Sequence, residues 1–243
     1  EQHYIEKLAR LKTIGYYYYP PKTPDSAKQR EDFKLPLDAK LYVCPQSLFK
    51  FHPDFDHLLA GILNQDPNGV LVLIEGREES WSRLLLKRLS QKLSDDIKRV
   101  IVLPRMSAHD FLSLCMLADA ILDTPGFSGG KTSLDCFALS LPIVTMASPY
   151  ARGRLTIAQY KLMGIDDCIA ENELNYIELA IKLANNKTWK KEISEKIKRK
   201  SHVLFKNIES VKELERFFIR AYARITGSSD ETPIVLPDNH HRD

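Results

Sequence analysis

The sequence predicts an α/β fold, a doubly wound parallel sheet with helices on both faces. Three observations predict it. Short runs such as LYVC (41–44), VLVLIEG (70–76) and RVIVL (99–103) are apolar on both faces, as strands buried within a parallel sheet must be. They alternate with stretches whose apolar residues recur every three or four positions, the period of a helix packed on one side. About six such strands fall between residues 41 and 170, the number of a Rossmann-like unit.

Taken in order, residues 1–38 read as a connector. A short amphipathic stretch (Tyr4, Ile5, Leu8, Leu11) runs into Tyr16–Tyr19 and then Pro20, Pro21 and Pro24, which stand too close together for a helix. After the first strand, Pro53 suits the first turn of a helix carrying Phe55, Leu58, Leu59, Ile62 and Leu63. The second strand leads to a helix over Ser80–Leu93, and Pro104 ends the third. Ser107 and Asp110 resemble a capping box, with Phe111, Leu112, Cys115 and Ala118 continuing one helical face. AILD (120–123), a Gly-rich loop, a helix over 131–139, PIVTM (142–146), a helix over 152–163 and a weak strand near 168–170 complete the series. Residues 171–225 read as three helices. The expected organisation is a connector (1–38), one α/β unit with C-terminal helices (39–225) and a flexible tail (226–243).

With 243 residues, 44% apolar content and a net charge of +3, the chain can build a core and is not expected to be disordered. No uncharged apolar run reaches the roughly 18 residues of a bilayer span. The start, EQHYIEKLAR, has neither an initiator Met nor an apolar segment, and reads as a cut inside a longer protein rather than a signal peptide. Cys44, Cys115, Cys136 and Cys168 lie in separate apolar stretches without CxxC or His spacing, so reduced thiols in a cytoplasmic protein are expected. The basic stretch Lys187–Lys206, interleaved with Trp189, Ile193, Ile197 and Phe205, reads most simply as a solvated helix face.

Ligands of such sheets bind at the carboxyl ends of the strands, where strand order reverses. The densest polar cluster, Asp123-Thr-Pro-Gly-Phe-Ser-Gly-Gly-Lys131-Thr-Ser-Leu-Asp135, falls at one of these ends. Gly126, Gly129 and Gly130 allow close backbone approach, and the start of the next helix offers unpaired N–H groups suited to phosphate. Lys131, Thr132 and Ser133 add a cation and two hydroxyls. Charge-assisted bonds of this kind contribute roughly 1.5–3 kcal/mol each, so three or four would dominate affinity for a diphosphate. Asp135, one turn on, can accept both hydroxyls of a ribose. A P-loop does not fit, because its first glycine would fall on Pro125. Lys50, after the first strand, would bring a second cation to the same edge. Arg152, Arg154 and His109 are by themselves no more than surface residues.

The stretches QSLFKFHPDFD (46–56), LADAILDTPGFSGGKTSLD (117–135), LPIVTM (141–146) and ARGR (151–154) together resemble the C-terminal part of the O-GlcNAc transferase and SPINDLY family, particularly its bacterial members. The resemblance runs from about His3 to Ile225. It implies the C-terminal lobe of a two-lobed GT-B glycosyltransferase, often preceded by tetratricopeptide repeats. By resemblance, Lys50 contacts the donor diphosphate and stabilises the leaving group. Gln46 and Ser47 fall where the family has a donor-contacting glutamine. The loop and helix start around Ser128, Gly129, Gly130, Lys131, Thr132 and Ser133 bind the diphosphate, and Asp135 the ribose. The backbone at Met106 reads the uracil edge, and Arg154 matches the arginine after the VTM strand. Animal members have His-Thr-Thr where this chain has Gly130-Lys131-Thr132, and a family histidine and lysine align with Phe111 and Ala108, which opens the sugar preference.

The expected function is donor binding in an inverting glycosyltransferase that moves GlcNAc from UDP-GlcNAc to Ser/Thr hydroxyls of proteins. The acceptor site and a histidine assisting catalysis belong to an N-terminal lobe absent from this chain. No cofactor or metal is expected, since lysines can supply the positive charge and no Asp-x-Asp pair is present. Nucleic acid and membrane are not expected partners. The alternatives are a non-catalytic nucleotide-binding module, a fucosyltransferase of the same family using GDP-fucose, or a nucleic-acid binder using the 187–206 face.

Overall fold

The computed structural model describes residue 5 and residues 9–227. The chain forms two compact units, residues 19–205 and residues 1–18 with 206–243. Residues 228–243, most of the expected tail, lie outside the described residues, as do His3 and Tyr4.

The larger unit carries six strands: β1 Lys40–Cys44, β2 Gly69–Ile74, β3 Val100–Leu103, β4 Ala120–Leu122, β5 Ile143–Met146 and β6 Ile169–Ala170. Every neighbouring pair is parallel, in the order β3-β2-β1-β4-β5-β6. Val43 of β1 pairs with Val72 on one side and Ile121 on the other. This explains the runs without alternation, because Leu41, Tyr42, Val43 and Cys44 are all fully buried between two helical layers. Strand order reverses between β1 and β4, which opens a crevice at their carboxyl ends.

The covering helices are α1 Asp56–Gln65, α2 Glu79–Leu93, α3 Ala108–Leu117, α4 Lys131–Ala138, α5 Leu155–Met163, α6 Glu173–Asn185 and α7 Lys187–Lys200. Ser107 caps α3, its Oγ accepting from the Asp110 N–H at 3.1 Å. The helix expected over 152–163 starts later, because Ala151–Arg154 form a 3-10 turn. Pro53 likewise opens a 3-10 turn, Pro53–Phe55, that leads into α1. No helix among the described residues is long and apolar enough to cross a membrane.

Buried polar side chains tie the layers together. α6 packs on α1 and against β1, β4 and β5, and its Tyr176 hydroxyl donates to the Asp123 carbonyl at 2.8 Å. Tyr42 Oη donates to Asp66 at 2.6 Å, and Asn185 of α6 donates to the same carboxylate at 3.0 Å. Arg30 folds residues 30–39 onto the sheet by donating to the carbonyls of Pro36, Leu37 and Ala39 and to Asp119. All four cysteines are buried free thiols.

In the smaller unit, α8 (Ile208–Thr226) presents Glu213, whose carboxylate accepts from the backbone N–H groups of Lys12 and Thr13 at 2.7 and 3.0 Å. It also accepts from the Thr13 hydroxyl at 2.6 Å.

Candidate functional site

β4 delivers the chain into the crevice at Asp123, a fully buried carboxylate. Its Oδ1 accepts from the Gly129 N–H at 2.7 Å and its Oδ2 from the Thr145 hydroxyl at 2.8 Å. Burial pushes its pKa up, while these two donors and the nearby Lys50 charge oppose the shift. Four further bonds shape the loop. Thr124 Oγ1 donates to the Phe127 carbonyl, Ser128 N to the Arg152 carbonyl, and Ser128 Oγ accepts from Leu155 N and Thr156 N at the start of α5. The loop is therefore fastened to both β5 and α5.

Space requires one of the loop glycines. A Cβ on Gly129 would overlap Ser133 Oγ and stand 2.5 Å from Gln46 Nε2. Gly130 and Gly126 are different, since a Cβ there would meet ordinary contacts at 3.6 and 3.5 Å. Gly129 thus lets the segment after β1 lie directly against the loop after β4.

Lys50 joins the two segments. It stands in the 3-10 turn Leu48–Lys50, and its half-buried ammonium donates to Gln46 Oε1 at 2.9 Å and to the Ser128 carbonyl at 3.1 Å. The same ammonium lies 4.6 Å from the centre of the Phe127 ring. Burial lowers its pKa, and the negative charge of Asp123 pulls the other way.

A cleft of about 580 Å³ opens over β1, β2 and β3. Of the residues singled out from sequence, Gln46, Ser47, Met106, Lys131, Thr132 and Asp135 line it. Lys50 lines an adjoining cavity of about 460 Å³, with Phe49 on the wall of both. Asp135 is buried apart from its face on the cleft, and exposed Lys131 donates to it at 2.7 Å. The first turn of α4 has no side-chain cap, so its leading N–H groups are directed to the cleft end of the helix.

Five expected residues line neither cavity: buried Gly129, Gly130 at the N-cap of α4, and Ser128, Ser133 and Arg154. Ser128 and Ser133 are fully buried, with Ser128 capping α5 and Ser133 paired with Thr156 Oγ1 at 2.8 Å. Arg154 is exposed and lines neither cavity. Sequence reasoning passed over Arg77, Trp81, Arg105 and Pro21, which also line the cleft. Isolated residues in separate loops carry no local pattern that would reveal them. For Asp123 a signal existed: a carboxylate directly after a fully apolar strand enters the sheet edge buried.

A parallel sheet in this order, with a glycine-dependent loop and a helix start at its switch point, is the architecture of a Rossmann-like nucleotide-binding lobe. The family model of Glycosyl transferase family 41 matches residues 22–214, and the chain belongs to that family. It is 26% identical over 228 residues to an Arabidopsis thaliana protein named probable UDP-N-acetylglucosamine–peptide N-acetylglucosaminyltransferase SEC, covering 90% of this chain and 23% of that protein. It is 27% identical over 192 residues to the SPINDLY protein of the same plant, covering 77% of this chain and 21% of that one. Among solved structures, a mutant O-GlcNAc transferase of Thermobaculum terrenum superposes with a TM-score of 0.76 at 25% identity, over 92% of this chain and 43% of that one. WaaG, a lipopolysaccharide glycosyltransferase, shares the fold at a TM-score of 0.54 and 14% identity, over 82% of this chain and 50% of that one. The chain thus spans less than a quarter of the length of these curated relatives.

Proposed function

We propose that this chain is the donor-binding lobe of an inverting, cytoplasmic glycosyltransferase that transfers GlcNAc from UDP-GlcNAc to Ser/Thr hydroxyls of proteins. A second lobe supplies the acceptor site and the base. The observation that supports this reading best is the Lys50 ammonium held between Gln46 Oε1 and the Ser128 carbonyl. It joins the segments after β1 and β4 beside the uncapped start of α4.

In this reading the acceptor oxygen attacks the anomeric carbon and gives its proton to the base of the other lobe. The bond from that carbon to the diphosphate oxygen breaks, and the electron pair leaves with UDP. Negative charge then grows on the diphosphate, where Lys50, Lys131 and the α4 N–H groups lower its energy. Asp135 accepts from the ribose hydroxyls. Lys131, nearly three-quarters exposed, turns from Asp135 to the phosphate at little cost.

Isothermal titration with UDP tests the binding half of this reading, and Asp135→Ala should weaken it markedly. In an enzyme carrying both lobes, Lys50→Ala should lower kcat by about 10²–10³, the effect of removing one preorganised charge-stabilising donor, and weaken UDP binding much less. Equal losses in both would refute the leaving-group role.

A further inference from the structure

Two guanidinium groups on the cleft wall have no task in the donor reading. β2 and β3 run side by side, with Ile74 opposite Leu103 and the Glu75 N–H donating to the Leu103 carbonyl at 2.8 Å. Arg77 and Arg105 follow closely on these strand ends, so the sheet brings both to one edge of the cleft. Both are exposed, and neither makes a hydrogen bond or ion pair among the described residues. Glu75 lines the same cleft and pairs with neither. In the donor reading the backbone at Met106 meets the base, Asp135 meets the ribose, and Lys50, Lys131 and the α4 N–H groups meet the diphosphate. The nucleotide thus leaves both guanidinium groups unpaired at a solvent-exposed edge.

A guanidinium is a fork of N–H donors that matches a carboxylate with two parallel bonds. The other molecule that reaches this cleft in the proposed reaction is the acceptor polypeptide, whose hydroxyl must meet the carbon next to the diphosphate. An extended chain advances roughly 3.3–3.6 Å per residue. Side chains two to four positions from that hydroxyl therefore stand about 7–14 Å away, a span covered by one cleft whose wall carries Lys131 and both arginines. We propose that Arg77 and Arg105 select acceptor segments with Asp or Glu two to four residues from the modified Ser or Thr. The inference rests on the donor reading above and adds acceptor selection to it. The second lobe still supplies the acceptor site and the base, and this lobe adds a cationic rim that the flanking residues cross.

The test uses the full-length enzyme with peptides that differ only at positions two to four residues from the acceptor hydroxyl, on either side, carrying Asp, Ala or Lys. Wild-type kcat/KM should be about tenfold higher for the best Asp peptide than for its Ala parent, since an exposed ion pair is worth up to about fivefold and two arginines act together. The Lys peptide should fall below the Ala parent. Arg77→Gln and Arg105→Gln should each bring the Asp:Ala ratio toward one, and Arg77→Glu combined with Arg105→Glu should reverse the order in favour of Lys. Salt at about 0.5 M should compress the wild-type ratio through screening. Ratios between peptides cancel any change in donor affinity, so they report acceptor selection alone. Both arginines are exposed, and unchanged melting temperatures would establish that the variants fold. Equal transfer by the wild type to all three peptides would overturn the inference and leave the donor reading intact. A ratio untouched by the substitutions would overturn it as well, and reduced UDP affinity in those variants would give the arginines to the nucleotide instead. Failure of this chain to bind UDP would remove the donor reading and the inference together.

Discussion

Asp123→Ala asks whether one buried carboxylate holds the loop after β4 in its binding shape. The wild-type side chain accepts from Gly129 N–H at 2.7 Å and from Thr145 Oγ1 at 2.8 Å, fully shielded from water. Hydrogen bonds to a charged group contribute roughly 1.5–3 kcal/mol each, so the pair is worth about 3–6 kcal/mol gross. Burial disfavours the ionised carboxylate, as its raised pKa records, and takes back part of this. A net loss of about 3 kcal/mol remains, with the Gly129 N–H left in a dry site. In a protein of this size, that lowers Tm by roughly 6–12 °C. Asp123→Asn retains an acceptor for Gly129 and should lose only about 1 kcal/mol. Thermal melts give the stability change and UDP titration reports the loop, which should bind at least tenfold more weakly in the alanine variant. Melting within about 2 °C of wild type, together with unchanged UDP affinity, would show that the loop keeps its shape without Asp123.

The loop glycines should separate by substitution. Gly129→Ala forces a methyl against Ser133 and Gln46, costing about 1–3 kcal/mol as overpacking and weakening UDP binding. Gly130→Ala meets only Leu155 Cδ1 at 3.6 Å and should melt close to wild type. Similar melting and binding for the two variants would contradict the packing described. Lys50 supplies a pH test. Its pKa is lowered in the free protein, chiefly by burial, and a diphosphate beside it would raise it again. Between these two values the complex takes up a proton, so UDP affinity should fall as pH rises through that window. Calorimetry in buffers of different ionisation enthalpy should detect the uptake, and Lys50→Arg, whose guanidinium stays charged, should abolish it. Binding heats independent of buffer would place the diphosphate away from Lys50.

Much of this architecture was legible in residue order. Strands buried on both faces must be continuously apolar, and helices covering them must be apolar on one stripe, so β1 to β6 and α1 to α7 leave a periodicity that survives without coordinates. The cluster from Asp123 to Asp135 was legible for a related reason, since small residues followed by a helix start make a local signature. Hydroxyl direction was not. Ser128 and Ser133 carry the same chemistry as Thr132, yet only packing decides that they bond to the start of α5 and to Thr156 while Thr132 faces the cleft.

Composition and spacing by themselves determined the parallel α/β class, the edge at which a ligand would sit and the segments that carry lysines there. Both depend on local periodicity and on the fixed hand of the strand–helix–strand crossover. Tertiary structure alone decided that Lys50 reaches across to the Ser128 carbonyl, that Asp123 is sealed beneath the loop, and that Arg77 and Arg105 share one cleft with Asp135. Those contacts join residues dozens of positions apart, and they exist only because the sheet places the ends of β1, β2, β3 and β4 side by side.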